Sequence, residues 1–231
     1  MIDDGMSNSN SPAQYADSRF PAEQRYQCAI TAEHYDEQRL RTWRGRLLHR
    51  LEVSAYTKAT KELPKDYTVL DLPCGTGRLI RPLMEHFRSV RGVDISAEML
   101  AVARKRYRHI GHVEFAQADG RSLPFADKEF GCVFSCRLFG HTPPEVRVAI
   151  LREMRRVTQD RVALVMYVRS PIISIRKKLQ WTFRPPKHPW YPIASFSQLK
   201  RTFSGVGLEI LSVRSLLSGI MESRLVTARK M

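Results

Sequence analysis

The chain contains 231 residues, of which 43% are hydrophobic and 26% are charged, and these proportions suit one globular domain with a full core. Its 38 basic and 23 acidic residues give a formal net charge of +15, which favours contact with acidic substrates, membrane surfaces or nucleic acids. The sequence excludes a membrane-spanning helix because it has no apolar run of about 18 residues, and the spacing of its four cysteines fits neither a metal site nor a disulfide framework.

The N-terminal segment is polar. Residues 1–12 are rich in Asp, Ser and Asn and contain no apolar segment of the kind found in a signal peptide. We therefore expect residues 1–18 to be disordered and residues 19–231 to form a single domain. Cysteines without a disulfide framework are typical of a reducing compartment, so the expected location is the cytoplasm.

A helical pattern leads into a glycine turn. Apolar residues recur at spacings of about three to four over Glu33–Leu51, which predicts a helix. A later apolar run ends at Leu72 and is followed by a turn that contains Gly75 and Gly77. Glycine permits positive φ and close approach of a ligand to the backbone, and the segment from Leu79 to Val90 is predicted to be a helix. A strand, a glycine turn and a helix in this order are typical of a nucleotide-binding α/β unit.

Acidic residues end the first three predicted strands. Asp71 ends the first, Asp94 ends the second, and Asp119 ends the third, while a fourth strand is predicted over Phe130–Cys136. The carboxyl ends of parallel strands meet at one edge of a sheet, where open α/β sheets bind ligands. The carboxylate after the second strand is placed to accept hydrogen bonds from ribose hydroxyls.

The chain continues with alternating helices and strands. One helix is predicted over residues 97–108, with Ser96 as its N-cap. A second is predicted over Pro144–Val157, with Thr142 as its N-cap and proline in the first turn. A β-branched, apolar strand is predicted over residues 161–168.

The motifs resemble those of class I S-adenosylmethionine-dependent methyltransferases, in particular the ubiquinone/menaquinone-methyltransferase-like (type 11) branch. They are Asp71–Gly77, Val93–Leu100 and Asp119–Phe125. The resemblance spans about residues 33–231 and implies a doubly wound, Rossmann-like α/β fold. Its seven-stranded, mostly parallel sheet would have helices on both faces and an antiparallel last strand over residues 224–229, preceded by a helix over residues 197–203. A nicotinamide-dependent dehydrogenase is disfavoured, because Ile80 stands where its motif requires a third glycine.

The resemblance implies S-adenosylmethionine as the cofactor and no metal. Asp94 would hold the ribose, Asp119 the adenine amino group, and Asp71 the sulfonium or amino-acid end. The full set of implied cofactor-binding residues is Tyr35, Asp71, Pro73, Cys74, Gly75, Gly77, Asp94, Ile95, Met99, Asp119, Gly120 and Ser135. Helices within residues 19–62 would form a lid over the cofactor.

Substrate residues are expected beyond the fourth strand. Arg137 suits an anionic substrate group, and His141 is placed to bind substrate and to act as a catalytic base or as a wall of the site. Residues 169–195 combine basic and aromatic side chains where the family builds its acceptor lid, and no acidic residue occurs between Asp160 and Glu209. We therefore expect methyl transfer to a small-molecule or lipid-like anionic acceptor, with O-methylation favoured and with a peripheral membrane contact through the insert as one use of its charge.

Two departures from the family motifs leave other functions open. Pro73 replaces the first glycine of the first motif and lacks an N–H, and Gly131 replaces the acidic residue that the family has before its fourth strand. Both favour the alternative of a cofactor-binding scaffold without turnover. A nucleic-acid methyltransferase is the third alternative; the positive charge favours it, but the N/D-P-P-Y/F motif of amino-group methylases is missing after the fourth strand.

Overall fold

The computed structural model describes residues 29–140, 142–168, 195–217 and 223–231. The predicted disordered N-terminus, His141 and nearly all of the 169–195 insert lie outside the described residues. The helices are α1 (Ala29–Leu40), α2 (Trp43–Thr60), α3 (Ile80–Met84), α4 (Ala97–Tyr107), α5 (Pro144–Val157) and α6 (Phe196–Gly205). The strands are β1 (Thr68–Asp71), β2 (Ser89–Asp94), β3 (Val113–Gln117), β4 (Phe130–Cys136), β5 (Thr158–Tyr167), β6 (Leu208–Ser215) and β7 (Ser223–Lys230).

The strands form one seven-stranded sheet in the order β3-β2-β1-β4-β5-β7-β6. Strands β1 to β5 are parallel, whereas β7 is antiparallel to both of its neighbours, β5 and β6. This arrangement confirms the predicted fold class. The chain leaves β1 toward β2 on one side and later returns to place β4 on the other, so a crevice opens at the carboxyl end of β1 where such sheets bind ligands.

Two hydrophobic clusters cover the two faces of the sheet. Leu70 and Val133, which are paired in register on β1 and β4, belong to the cluster under α5 and α6. Their neighbours Val69 and Phe134 belong to the other cluster, with Tyr56 of α2 and residues of α3 and α4. Successive residues of a strand point to opposite faces of the sheet, so helices pack on both faces. Ligands therefore reach the sheet at the ends of its strands.

Two predicted helices have the wrong extent. The segment predicted as helix from Leu79 to Val90 is helical only over α3, because Phe87 is buried in the core and the Arg88 N–H donates to the carbonyl of Lys65 at 2.7 Å, which directs the chain into β2. The predicted helix over Glu33–Leu51 is two helices. Thr42 begins α2 by accepting a hydrogen bond from the Gly45 N–H at 3.1 Å.

One of the two predicted N-caps is confirmed. The Ser96 hydroxyl accepts a hydrogen bond from the Met99 N–H at 3.1 Å at the start of α4. The prediction for Thr142 is wrong: Pro143 is the N-cap of α5 without a side-chain bond, and the Thr142 hydroxyl points back to the Leu138 carbonyl at 3.4 Å. No helix within the described ranges is long and apolar enough to cross a membrane.

Candidate active site

The glycine turn between β1 and α3 has backbone conformations that other residues rarely adopt. The φ angles are 54° at Gly75 and 79° at Gly77. A Cβ atom on Gly77 would lie 2.8 Å from the Tyr107 ring, so this glycine also lets α4 pack against the turn. Apart from its own chain neighbours, no atom of the described residues lies within 4 Å of the position that a Cβ on Gly75 would take, so this side of its backbone is open to a ligand.

Asp94, the last residue of β2, is held against this turn. Its Oδ2 accepts a hydrogen bond from the Gly75 N–H at 2.8 Å, and its Oδ1 accepts one from the Ser96 N–H at 3.0 Å. Burial raises the pKa of Asp94, and these backbone donors oppose that rise. The two bonds fix the carboxylate at the edge of the sheet beside the open backbone of Gly75.

Asp119 lies in a turn after β3 rather than in the strand. The third strand, which the sequence predicts to end at Asp119, ends at Gln117. Asp119 instead accepts hydrogen bonds from the Arg121 N–H at 2.8 Å and from the Arg121 guanidinium Nε at 2.8 Å. Asp119 and Gly120 line a cavity of about 70 Å³ together with Pro73 and Ile95. The structure therefore brings these four predicted residues to one place.

Asp71 ends β1 as a buried carboxyl group. The residue is 1% exposed, and neither carboxylate oxygen has a hydrogen-bond partner within the part of the chain that the structure describes. Burial raises the pKa of Asp71 to about 8, the Arg78 guanidinium opposes this rise, and the Asp94 charge adds to it. The buried Ser135 hydroxyl on β4 likewise has no partner among the described residues. Buried polar groups are nearly always paired in native proteins, so both groups are candidates for ligand contact.

A buried glutamate on α2 collects three arginines at the same edge of the sheet. Glu52 is fully buried and accepts hydrogen bonds from Arg137 and from Arg39, the latter at 3.4 Å, and it lies 3.7 Å from the guanidinium of Arg78. Burial alone would raise the pKa of Glu52, but the charges of Arg137, Arg39 and Arg78 outweigh it and hold the pKa below its usual value. We call these four residues the arginine cluster. Sequence reasoning missed Glu52, although its spacing of four residues from Tyr56 indicates the inward face of the helix.

Arg137 occupies the residue after β4 with a φ of 66°, which is uncommon outside glycine. Its Nε donates to Glu52, while its Nη2 is buried and has no hydrogen-bond partner in the described ranges. The Nε of Arg39 is buried and unpaired in the same way. A backbone conformation of this kind costs about 1–3 kcal/mol and persists where surrounding contacts hold it, and here it aims the guanidinium at the cluster.

The N-terminal helix α1 contacts the glycine turn directly. Asp36 accepts a hydrogen bond from the Thr76 hydroxyl at 2.8 Å and forms an ion pair with Arg106 of α4. Arg106 also donates to the Thr76 carbonyl at 2.9 Å. These contacts place α1, with the half-buried Tyr35, over the carboxyl edge of β1.

The remaining predicted site residues lie at different depths. Met99 and Cys74 are buried in the core, and the Cys74 N–H donates to the Val93 carbonyl at 2.8 Å. His141 lies outside the described residues. No group of three His, Cys, Asp or Glu residues that could hold a metal occurs in the described segments.

Known proteins resemble this chain in sequence and in fold. Residues 69–161 match a family described as "Methyltransferase domain". A demethylmenaquinone methyltransferase from Staphylococcus saprophyticus is 27% identical over 203 residues, which cover 78% of this chain and 82% of that protein. The ubiquinone/menaquinone biosynthesis C-methyltransferase UbiE from Klebsiella pneumoniae is 35% identical over 134 residues, or 55% of this chain and 52% of that protein.

A solved methyltransferase structure has the same fold as this chain and contains S-adenosylhomocysteine. Magnesium protoporphyrin IX methyltransferase from Synechocystis PCC 6803, with bound S-adenosylhomocysteine, superposes with a TM-score of 0.69 at 17% identity. The match covers 87% of this chain and 99% of that one. Sequence and fold thus agree that the chain is a class I S-adenosylmethionine-dependent methyltransferase, and its sequence is similar to those of ubiquinone/menaquinone methyltransferases.

Proposed function

We propose that this methyltransferase acts on a small-molecule or lipid-like acceptor that carries an anionic group, and that oxygen is the favoured site of methylation. The observation that carries the proposal is the arginine cluster beside Asp71. Three guanidinium groups share the Glu52 carboxylate there, so these four residues carry a charge of 3 − 1 = +2, of which Asp36, 3.8 Å from Arg78, offsets a part.

The order of the strands supports a direction for the cofactor. Residues at or just beyond the carboxyl ends of β3, β2 and β1 would contact it in turn: Asp119 and Gly120 the adenine, Asp94 the ribose, and Asp71 the ammonium of the methionine moiety. The other residues proposed to contact it are Tyr35, Pro73, Cys74, Gly75, Gly77, Ile95, Met99 and Ser135. The unpaired carboxyl oxygens of Asp71 and the open backbone at Gly75 fit a ligand with a positively charged amino-acid end.

The unpaired nitrogens of the arginine cluster fit an anion. Arg137 Nη2 and Arg39 Nε are buried N–H donors with no partner in the described ranges. An unpaired buried donor costs about 1–3 kcal/mol, and a carboxylate or phosphate oxygen of the acceptor would satisfy it. The planar guanidinium group suits such oxygens through paired, charge-assisted hydrogen bonds.

The positive charge of the arginine cluster also bears on the methyl transfer itself. S-adenosylmethionine supplies a methyl group that is already activated as a sulfonium, so the protein chiefly aligns the acceptor and excludes water. With the anionic group of the acceptor held by Arg137 and Arg39, the positive charge of the cluster would also favour the deprotonated form of a neighbouring acceptor hydroxyl, so a strong base would not be needed. His141 remains our candidate for a base, or for a wall of the acceptor site, with acceptors that must lose a proton.

The parts of the chain around the site have proposed roles of their own. Residues 19–62 would act as a lid and residues 169–195 as the acceptor lid, with a peripheral membrane contact through the latter, within a single domain of residues 19–231 that follows a disordered N-terminus. A cytoplasmic location is part of the same proposal.

Carbon methylation of a quinone-like ring is the second candidate function. It is favoured by the similarity to the demethylmenaquinone methyltransferase and to UbiE described above. The two candidates are distinguished by the product, because a methyl carbon bonded to oxygen and one bonded to a ring carbon have different NMR shifts.

The test is methyl transfer from radiolabelled S-adenosylmethionine to two matched acceptors, a hydroxynaphthoate and the naphthol that lacks its carboxylate. We expect turnover with the hydroxynaphthoate to exceed that with the naphthol. Arg39→Gln should remove this preference, and Arg41→Gln, a neighbouring exposed arginine, should retain it. Equal turnover of the two acceptors by the wild-type protein would refute the anionic acceptor.

A further inference from the structure

Helix α2 has two faces with opposite character. Its fully buried residues, four apart along the chain, are Glu52, Tyr56 and Thr60. An α-helix has 3.6 residues per turn, so Trp43, Arg50 and Lys58 lie together on the opposite side. All three of these side chains are exposed. The inner face therefore holds the arginine cluster, and the outer face meets solvent.

From Arg41 to Lys61, every exposed charged side chain is positive. These side chains belong to Arg41, Arg44, Arg46, Arg50, Lys58 and Lys61. The acidic residue of this interval, Glu52, is buried beneath the helix. Arg50 and Lys58 lie on the outer face itself, whereas Arg41 precedes the helix and Arg46 donates to the carbonyls of Leu40 and Arg41. The next residue, Glu62, is an exposed carboxylate that lies 3.4 Å from Arg161. Positive charges therefore predominate along the helix, which favours an extended anionic partner over a single small ion.

An exposed tryptophan stands at the start of the same face. Trp43 is 63% exposed, and the guanidinium of Arg44 lies 5.4 Å from the centre of its ring. Leu47, one turn further along, is only half-buried. Tryptophan is enriched at membrane–water interfaces because its ring has an apolar body and a polar N–H. A tryptophan and a leucine among arginines are typical of helices that lie on an anionic membrane surface.

We propose that the outer face of α2 binds a bilayer that contains anionic lipids, with Trp43 at the level of the headgroups. The residues of this surface belong to α2 and not to the 169–195 segment of the sequence. The half-buried leucine beside the tryptophan favours a bilayer over duplex nucleic acid, whose non-specific binding depends chiefly on charge. Since Glu52 holds Arg137 on the inner face of the same helix, α2 would stand between the lipid surface and the site, and the lipid-like acceptor of the proposed function would reach the site from the bilayer.

The first experiment is sedimentation of the full-length protein with vesicles of phosphatidylcholine, with and without phosphatidylglycerol. We expect binding only in the presence of phosphatidylglycerol, and weaker binding at high salt. The double variant Arg50→Glu/Lys58→Glu should bind at least about tenfold more weakly. The control Lys200→Glu/Arg201→Glu changes the charge equally on exposed positions of α6 and should bind as the wild type does. Equal losses in both variants would overturn the proposal.

The second experiment locates the contact. In a Trp181→Phe/Trp190→Phe background, Trp43 is the remaining tryptophan, and we expect phosphatidylglycerol vesicles to shift its emission to the blue and brominated lipids to quench it. Unchanged emission from vesicle-bound protein would place the contact elsewhere and overturn the proposal. Tighter binding to duplex DNA than to vesicles, lost in Arg50→Glu/Lys58→Glu, would overturn it in favour of nucleic acid. The Arg50→Glu/Lys58→Glu variant should still methylate a soluble acceptor. Loss of membrane binding is therefore distinguishable from loss of the proposed methyltransferase function.

Discussion

Replacing Asp71 by asparagine should stabilise the cofactor-free protein at neutral pH. Burial raises the pKa of this carboxyl group from 3.8 to about 8, so the native state keeps a proton that the unfolded chain releases above its ordinary pKa. At pH 7 this one carboxyl group lowers the free energy of unfolding by ~4 kcal/mol, because pH 7 lies 3.2 units above its ordinary pKa and each unit contributes ~1.36 kcal/mol. Asp71→Asn removes this contribution and should raise the free energy of unfolding by up to ~4 kcal/mol.

The sign of the pH dependence gives the sharper assay. A raised carboxyl pKa leaves native stability undiminished below pH 3.8, lowers it progressively as pH rises, and stops lowering it near pH 8. We would measure urea unfolding of both proteins between pH 5 and pH 8, where the advantage of Asp71→Asn should grow steadily. The control Asp66→Asn, at an exposed position, should give no such trend. A constant difference between Asp71→Asn and the wild type over this range would refute the reasoning.

The same carboxyl group should link cofactor binding to pH. If the ammonium of S-adenosylmethionine pairs with Asp71, binding releases a proton below pH 8, and affinity should rise between pH 6 and pH 8. Calorimetry in buffers with different ionisation enthalpies measures the number of protons released. Asp71→Asn should bind more weakly and release none, and proton release equal to that of the wild type would argue against this contact.

Three further substitutions test packing and charge. Gly131→Ala should destabilise the protein by about 1–3 kcal/mol, because its Cβ would lie 2.0 Å from the Tyr67 ring; thermal unfolding should show the loss and Gly131→Ala/Tyr67→Ala should recover part of it. Gly77→Ala should cost about 1–3 kcal/mol at its φ of 79° and should weaken cofactor binding in calorimetry; unchanged unfolding and binding would contradict the assignment of this turn. Glu52→Gln should cost about 3–5 kcal/mol in urea unfolding because three arginines lose their shared carboxylate, whereas Glu62→Gln, an exposed control, should cost almost nothing.

The sheet and the position of its ligand edge could be predicted from local patterns. β4 and α5 have the predicted bounds because the strand is a short, nearly continuous apolar run, as in buried parallel strands, and the helix has an apolar period of 3.6 residues after its first-turn proline. The glycine turn could also be predicted, and the structure places Asp94 beside Gly75. These features depend on residues close together in the chain or on motifs with fixed spacing.

The features that sequence reasoning missed depend on distant partners. The early end of α3 requires the contact of Arg88 with Lys65, and the arginine cluster joins Arg137 to Glu52 across 85 positions of the chain. The pairing of Asp119 with Arg121 is local, yet it depends on where β3 ends, and strand ends are poorly specified by periodicity. Charged side chains buried by tertiary structure leave little trace in a hydropathy pattern.

The ion pair between Glu52 and Arg137 has a practical consequence for defining the smallest functional fragment. The recognisable methyltransferase segment begins at residue 69, so a truncated protein cut there would keep Arg78 and Arg137 but lose Glu52. It would also lose Asp36, which binds Thr76 across the glycine turn. Such a fragment would leave the charges of Arg78 and Arg137 without the Glu52 carboxylate at the ligand site. We expect it to be insoluble or inactive even though every signature residue of the family is present.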